Sequence, residues 1–363
     1  MSNNNIDFSS IDWYAILPRL GVPLDLIEKP KKLGPCPIEL DGKTRFRFDN
    51  KGGRGTWLCN SCGAGDGVRL VALVNGTDDT GAVWLIREVI EGGRAEGISF
   101  KRSTPVPKEK RSREDIDKAV RRLQEAFDRS VPIEGTPAME YLKNRIRGLR
   151  ADWLNMDAFR FHSNLYHFDE ETSKKSWLLG MLASVENAAT CEGTVTYQRY
   201  YITKDGQKAK VSPSQAKKMM SAKVEKLHGE SIRVNNAPAG PVIIVSEGLE
   251  NGLPWMMATQ NRIPVYAALS ANNLEHFIWP EGTEALLIAA DHDHVNPKTG
   301  LRIGTHCAKL LKKRAVEAGL KVVIRAPRVP GIDWDDMWNV GEFPSVEWLF
   351  QPSQERHAET ESA

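Results

Sequence analysis

The sequence predicts a multidomain protein of mixed α/β and α+β class, and three observations predict it. Three of the five cysteines crowd into the first 62 residues, the mark of a small β module tied by metal. Between 177 and 211 an apolar segment and a loosely alternating one that ends at a hairpin-type turn read as strands. Beyond 241, short continuous apolar runs alternate with helical stretches, the pattern of a small parallel sheet flanked by helices. A chain of 363 residues has room for two or three such units.

Residues 1–95 form the first block, with glycine-rich segments at 51–55 and 62–67 and a helix near 79–91. Residues 96–112 carry prolines and bases without an apolar period and read as a linker. Residues 113–238 form a helical and β subdomain. Its first helix starts at Ser112, an N-cap followed by Glu114 and Asp115, with Ile116, Ala119, Val120, Leu123 and Phe127 on one face. A second starts at Thr136 with Pro137 in its first turn and turns Tyr141 and Leu142 inward. Apolar runs Trp177–Val185 and Thr194–Ile202 are strands, the latter ending at the turn Lys204-Asp-Gly206. In the unit 239–350, Val242–Val245, Val265–Ala268, Leu286–Ala290 and Val322–Ile324 are buried parallel strands, and a helix over 301–318 buries Ile303, Cys307, Leu310, Leu311 and Ala315. Residues 351–363 are a polar, frayed tail.

Composition is that of an ordinary soluble chain, with 41% hydrophobic and 26% charged residues. A net charge of +2 announces no nucleic acid overall, so a binding surface must come from local patterning. No leader and no apolar run near 18 residues is present, which predicts a cytoplasmic protein without a membrane partner. Disulfides are rare there, so the clustered cysteines point to metal or redox chemistry. Cys191 and Cys307 stand alone and read as buried small residues.

Two acidic motifs follow two of the C-terminal strands: Ser246-Glu247-Gly248 and Asp291-His-Asp293. In open parallel sheets ligands sit at the carboxyl ends of strands. Asp291 and Asp293, two apart on extended backbone, point the same way, and like charges so placed call for a counter-cation. A hard Mg²⁺, or Mn²⁺, suits one or two carboxylates with substrate phosphates. Gly248 would let the backbone turn tightly and a phosphate approach. His292 and His294 either add metal ligands or tune local charge. Asp333 and Asp335 either join the acidic pocket or cap a following helix.

Cys59-Asn-Ser-Cys62-Gly63 is a knuckle in a glycine-rich turn, with Cys36-Pro-Ile upstream. Paired knuckles tie a zinc ribbon. Between them Arg45 and Arg47 share one strand face and Phe46 and Phe48 the other, and Trp57 follows; bases with exposed aromatics suit single-stranded nucleic acid. Further along, eight bases from Arg199 to Lys226 are opposed only by Asp205 and Glu225, a phosphate-binding surface or a solvated lysine face.

Glu247-Gly248 with Asp291-x-Asp293 resembles the paired motifs of the Toprim domain of bacterial-type primases, topoisomerases and some nucleases. The resemblance extends over roughly 239–340, where Ala268-Leu-Ser-Ala-Asn-Asn-Leu274 and Gly331-Ile-Asp-Trp-Asp335 are similar to primases of phages, satellites and conjugative elements. Arg45-Phe-Arg-Phe48, Gly55-Thr-Trp57 and Cys59–Gly67 are similar to the zinc-binding module of the same primases, and Tyr200–Lys210 to the stretch before their Toprim unit. The resemblance implies Glu247 as acid/base, Asp291 and Asp293 as Mg²⁺ ligands, and Cys36, Cys59 and Cys62 as Zn²⁺ ligands. It also implies Arg45, Arg47, Trp57, Arg199, Lys208 and Lys210 as contacts to nucleic acid or nucleotide. One departure stands out: Glu39 occupies the place of the expected second cysteine, so Glu39 or Asp41 completes the zinc site, or the site is degenerate. The implied activity is primer synthesis from nucleoside triphosphates on single-stranded DNA, in a mobile element. No phosphate loop of a fused helicase is present, so the chain needs either a separate helicase as partner or a template that is already single-stranded. A Toprim nuclease using the same carboxylates and a non-catalytic single-strand-binding accessory protein are the alternatives.

Overall fold

The computed structural model describes residues 8, 10–28, 32–95, 111–190, 193–224, 227–295 and 302–350. The linker over 96–110, Cys191, Glu225, Lys226 and the tail 351–363 lie outside the described residues.

The first module opens with two short helices, α1 (Trp13–Ile16) and α2 (Leu24–Ile27). A four-stranded antiparallel sheet follows: β1 (Leu33–Gly34), β2 (Phe46–Phe48), β3 (Trp57–Cys59) and β4 (Gly63–Gly65), in that order. Helices α3 (Gly67–Asn75) and α4 (Asp79–Ala95) close it. Its core joins Trp13, Ile16, Phe46, Phe48 and Trp57 to Leu70, Leu73 and Ile86. The sequence reading had missed α3. Asp66 caps it by accepting from the Arg69 N–H at 3.1 Å, and Gly76, at φ 65, ends it in the left-handed conformation that glycine favours.

The second module comprises α5 (Arg113–Asp128), β5 (Val131–Pro132), α6 (Pro137–Arg145), β6 (Phe159–Asp169), β7 (Lys174–Val185), β8 (Thr196–Ile202) and β9 (Lys217–Met219). The strands form one antiparallel sheet in sequence order. Ser112 and Thr136 cap α5 and α6 as expected. The buried face of α5 is Ala119, Leu123 and Ala126, which pack on Leu182, Tyr197 and Tyr201; Val120 and Phe127 are exposed, a shift of the expected stripe. Phe127 instead lies beneath the Arg160 guanidinium, 4.1 Å from the ring centroid.

The third module has β10 (Ile232–Arg233), β11 (Val242–Ser246), α7 (Leu249–Ala258), β12 (Val265–Ala267), α8 (Ala271–Glu275), β13 (Ala285–Ala289), α9 (Ile303–Glu317), β14 (Lys321–Arg325) and α10 (Trp334–Val340). Strand order is β10-β12-β11-β13-β14, parallel except for β10 at the edge. Ile243, Ile244, Val245, Leu286, Leu287 and Ile288 are all buried, as continuous apolar strands between helix layers require. Helix α9 buries Ile303, Cys307, Ala308, Leu311 and Ala315. No described helix is long and apolar enough to cross a membrane.

The modules share their interiors. One core runs from Met181, Ala183 and Tyr200 of the second module to Leu253, Trp255 and Val265 of the third. Ala271, Ile303 and Cys307 of the third sit in the core of the first.

Candidate active site and metal centre

Glu247 follows β11, and Asp291 and Asp293 follow β13, the adjacent parallel strand. The place a Cβ would occupy on Gly304, in the first turn of α9, is 2.9 Å from Asp293 Oδ2, 3.1 Å from Glu247 Oε2 and 3.3 Å from the Asp291 carbonyl oxygen. Three oxygens from two segments, those after β11 and β13, thus surround one small space that exists because residue 304 has no side chain. The Gly304 N–H donates to Asp293 Oδ2 at 2.8 Å, which sets that carboxylate against the positive end of α9. Asp291 Oδ1 accepts from Asn251 Nδ2 at 2.6 Å, and Asn251 Oδ1 accepts from the Trp334 N–H at 3.1 Å. Glu247 Oε2 is buried and makes no hydrogen bond among the described residues.

Burial, then Asp291 and Asp293, push the Glu247 carboxyl well above its ordinary value; Lys217 and the Ala271 N–H act against this. Burial, then Asp333 and Asp293, do the same to Asp291. A buried carboxylate oxygen without a donor, among like charges, fits a hard cation that takes oxygen ligands.

Lys217 extends from β9 towards the cluster and feels Glu250, Asp291 and Glu247. Glu250 holds it at 3.5 Å and accepts from the Tyr141 hydroxyl at 2.9 Å. Burial would raise the Glu250 carboxyl, but Lys217, Lys208 and Arg145 outweigh it and hold the group at about 2. Lys208 is exposed and its charge acts on Glu250.

Asp333, Asp335 and Asp336 form a second acidic group, with ligand atoms within 4.8 Å of one another. They also cap α10: Asp333 and Asp336 form its capping box, and Arg145 pairs with Asp335. The capping reading of this segment is thus borne out, and the charge of Asp333 also acts to raise Asp291. The ring of His292 donates to the Pro327 carbonyl, and neither His292 nor His294 joins a ligand group among the described residues. Gly248 is extended at φ −121, so no tight turn demands glycine there, though the space beside it stays open. Leu269 adopts φ 78, a strained value for leucine, one residue before the Ser270 cap of α8.

In the first module the sulfurs of Cys36 and Cys62 are 3.5 Å apart, and those of Cys36 and Cys59 are 3.6 Å apart. A tetrahedron with Zn–S bonds of about 2.3 Å has sulfurs about 3.8 Å apart, so the cluster needs almost no rearrangement. Hydrogen bonding with the Cys36 and Cys62 sulfurs holds the Cys59 thiol down to about 3, while Cys36 and Cys62 are pushed up. The expected carboxylate ligands are turned elsewhere: Glu39 and Asp41 both pair with Arg45. Among the described residues no fourth cysteine, histidine or carboxylate joins the three sulfurs.

Phe46, Phe48 and Trp57 lie in the core rather than on a nucleic-acid surface; the Trp57 indole N–H donates to the Asp66 carbonyl at 3.0 Å. Arg47 pairs with Asp49 at 3.0 Å and reaches Glu170 at 3.9 Å. Arg199 occupies the sheet face covered by α5, where its guanidinium bonds the carbonyls of Tyr166 and Met219. Lys210 is exposed on the loop beyond Lys208. Sequence reasoning singled out neither Asn251, Glu250 nor Gly304. Only Gly304 offered a signal, as a glycine in the first turn of an otherwise good helix.

The first module sits beside the carboxylates. Arg69, buried, pairs with Glu275 and donates to Asn272 Oδ1 at 2.6 Å, while Asn272 Nδ2 donates to the Ala64 carbonyl at 2.7 Å. Asp41 is close enough for Asp293 to help raise its carboxyl, after burial and Cys59.

Residues 242–342 match the family model of the Toprim domain. The C-terminal module is a Toprim domain. Residues 31–68 match the zinc-binding domain of primase-helicase, and residues 117–230 match a domain of unknown function. Among solved structures the chain is similar to the zinc-binding and RNA polymerase domains of Aquifex aeolicus primase, at 16% identity, covering 92% of this chain and 80% of that one with a TM-score of 0.35. It is also similar to the DnaG primase catalytic domain bound to ssDNA, at 13% identity, 68% and 80% coverage and a TM-score of 0.41. The E. coli primase catalytic core matches at 14% identity, 68% and 79% coverage and a TM-score of 0.36. The Toprim domain and the primase zinc-binding domain thus stand in one chain, packed against each other.

Proposed function

We propose that this chain is a DNA primase that joins nucleoside triphosphates into short primers on single-stranded DNA. The observation that carries the reading is the Toprim carboxylate cluster with a primase-type zinc-binding domain seated beside it. A Mg²⁺ or Mn²⁺ ion held by Glu247, Asp291 and Asp293 would supply charge neutralisation at the reacting phosphates. Glu247, ionised once a cation offsets the neighbouring aspartates that raise it, would accept the proton of an attacking 3′-hydroxyl through the oxygen that the cation leaves free. Asn251 and the Gly304 N–H fix the two aspartates, so little reorganisation accompanies reaction. Lys217, aimed by Glu250 and Tyr141, and Lys208 beside it are the cations for the triphosphate. The cysteine cluster would hold Zn²⁺ as a structural tie for template engagement. A separate helicase would open duplex DNA, and the work would belong to replication of a mobile element, a reading supported by motifs similar to those of primases from such elements.

The test is incubation of the purified chain with Mg²⁺, mixed single-stranded templates and labelled nucleoside triphosphates. New short oligomers that disappear with chelator are the expected product. Cutting of the template without synthesis would replace this reading with a nuclease; strand binding alone would leave an accessory protein.

Gly304→Ala is expected to lower synthesis by about 10²-fold, because its methyl would enter the space between Glu247 and Asp293 and shift both by a few tenths of an ångström or more. Alanine suits a helix, so circular dichroism and melting should stay close to wild type. Unimpaired synthesis in this variant would place the metal elsewhere.

A further inference from the structure

The sheet of the second module turns one face towards the Toprim domain, and its register orders that face in rows. Met181 lies opposite Tyr200, and Tyr200 opposite Lys217. Leu179 lies opposite Ile202, and Ile202 bridges to Lys208. Trp177 lies opposite Tyr166. Residues two apart on a strand share a face, so Lys175, Trp177, Leu179 and Met181 form one line. Met181 is in the core shared with the Toprim domain and Leu179 packs against it, but Trp177 remains 63% exposed and Tyr166 40%. Their rings meet edge to face at 5.4 Å.

The surroundings are basic. Lys175 and Lys208 are exposed on this face, and Lys217, paired with Glu250, carries a charge that acts on Asp291 and Glu247. Glu170, at the turn between β6 and β7, is already held by Lys218 at 3.2 Å and by Arg47 at 3.9 Å. Arg47 belongs to the zinc-binding module. The aromatic pair therefore stands between that module at the hairpin tip and the carboxylate cluster at the sheet centre.

We propose that Trp177 and Tyr166 are a base-stacking platform for single-stranded DNA running from the zinc-binding module to the catalytic carboxylates. Every base has a π face to offer, and lysines spaced around exposed aromatics serve the phosphates between stacked bases. A duplex keeps its base faces covered, so the platform selects a single strand. An apolar protein partner would leave Lys175 and Lys208 unmatched. The choice of ligand rests on the template-directed reading above.

The experiment measures binding of a labelled single-stranded oligonucleotide by fluorescence anisotropy, without nucleotides or Mg²⁺. Trp177→Ala combined with Tyr166→Ala is expected to weaken binding about tenfold or more, and Trp177→Phe to stay near wild type because a phenyl ring still stacks. Trp84→Ala, on α4 and equally exposed, is the control expected to bind as wild type. Both tryptophans lie outside the core, so circular dichroism should be unchanged. Undiminished binding by the double variant overturns the proposal. So does loss of self-association in that variant with strand binding intact, which would make the pair a contact between copies of the chain. A wild type that makes primers while the double variant binds normally sinks this proposal alone. A wild type that binds strands through Trp177 but makes no primers sinks only the primase reading.

Discussion

Replacing Asp291 and Asp293 together by asparagine is expected to lower primer synthesis by about 10³-fold or more, the scale of several kcal/mol of lost charge stabilisation. The same variant is expected to melt higher than wild type in chelator at neutral pH. Burial raises both Glu247 and Asp291; Asp291 and Asp293 add to the rise at Glu247, and Asp333 and Asp293 to that at Asp291. A carboxyl whose folded value is raised stabilises the fold below its unfolded value and loses that contribution as pH climbs through the folded one. Neutral asparagines remove the repulsion in that upper range, while Asn251 can still donate to an amide oxygen at 291. The melting difference should therefore shrink as pH falls into the ordinary carboxylate range. Mg²⁺ should raise the melting temperature of wild type and not of the variant, because only wild type binds it. If the variant were less stable than wild type in chelator at pH 7, the carboxylates would be holding the fold together rather than waiting for a cation.

The residues that sequence reasoning found and those it missed divide on physical grounds. Glu247, Asp291 and Asp293 were visible because each follows a continuous apolar strand, and a parallel sheet gathers the ends of neighbouring strands. The cysteines were visible because their spacing is local. Lys217 was one base in a run of eight until the sheet carried β9 beside β8 and the Toprim domain supplied Glu250 beneath its ammonium. Arg199, one of the bases chosen, differs from Tyr200 by one position on β8, and that single step sends it to the opposite face. Trp57 departs for the same reason: Phe46, Phe48 and Trp57 alternate inward, and an exposed aromatic pair lies instead on β6 and β7. Alternation along a strand can be read from sequence, but which of the two faces meets another module cannot. The substitution of Glu39 for a cysteine suggested a carboxylate ligand, and it was Arg45, four residues from Asp41, that decided otherwise by pairing with both acids.

Cys59→Ser together with Cys62→Ser, or removal of zinc by a strong chelator, is expected to collapse the sheet of the first module. Its strands are two or three residues long, too short to persist on their own hydrogen bonds. Structural zinc contributes apparent free energies on the order of 10 kcal/mol at neutral pH in small metal-tied domains, more than the net stability of most domains. Here part of the module has other support, since Trp13, Leu70, Leu73 and Ile86 form a core with α9 of the Toprim domain. The expected result is therefore local: new proteolytic cuts between β1 and β4, with α3 and α4 still protected. The damage should reach the catalytic site by one short route. Ala64 and Gly63 of β4 abut Asn272 and Ser270 at the start of α8, and the next backbone N–H, of Ala271, faces the Glu247 carboxylate. Loss of zinc should thus depress synthesis even on templates supplied in excess, as a fall in kcat beyond any rise in KM. A chain that released zinc without new cuts in that interval would show that the apolar core alone holds the ribbon; one that lost only template affinity would show that α8 does not transmit the change.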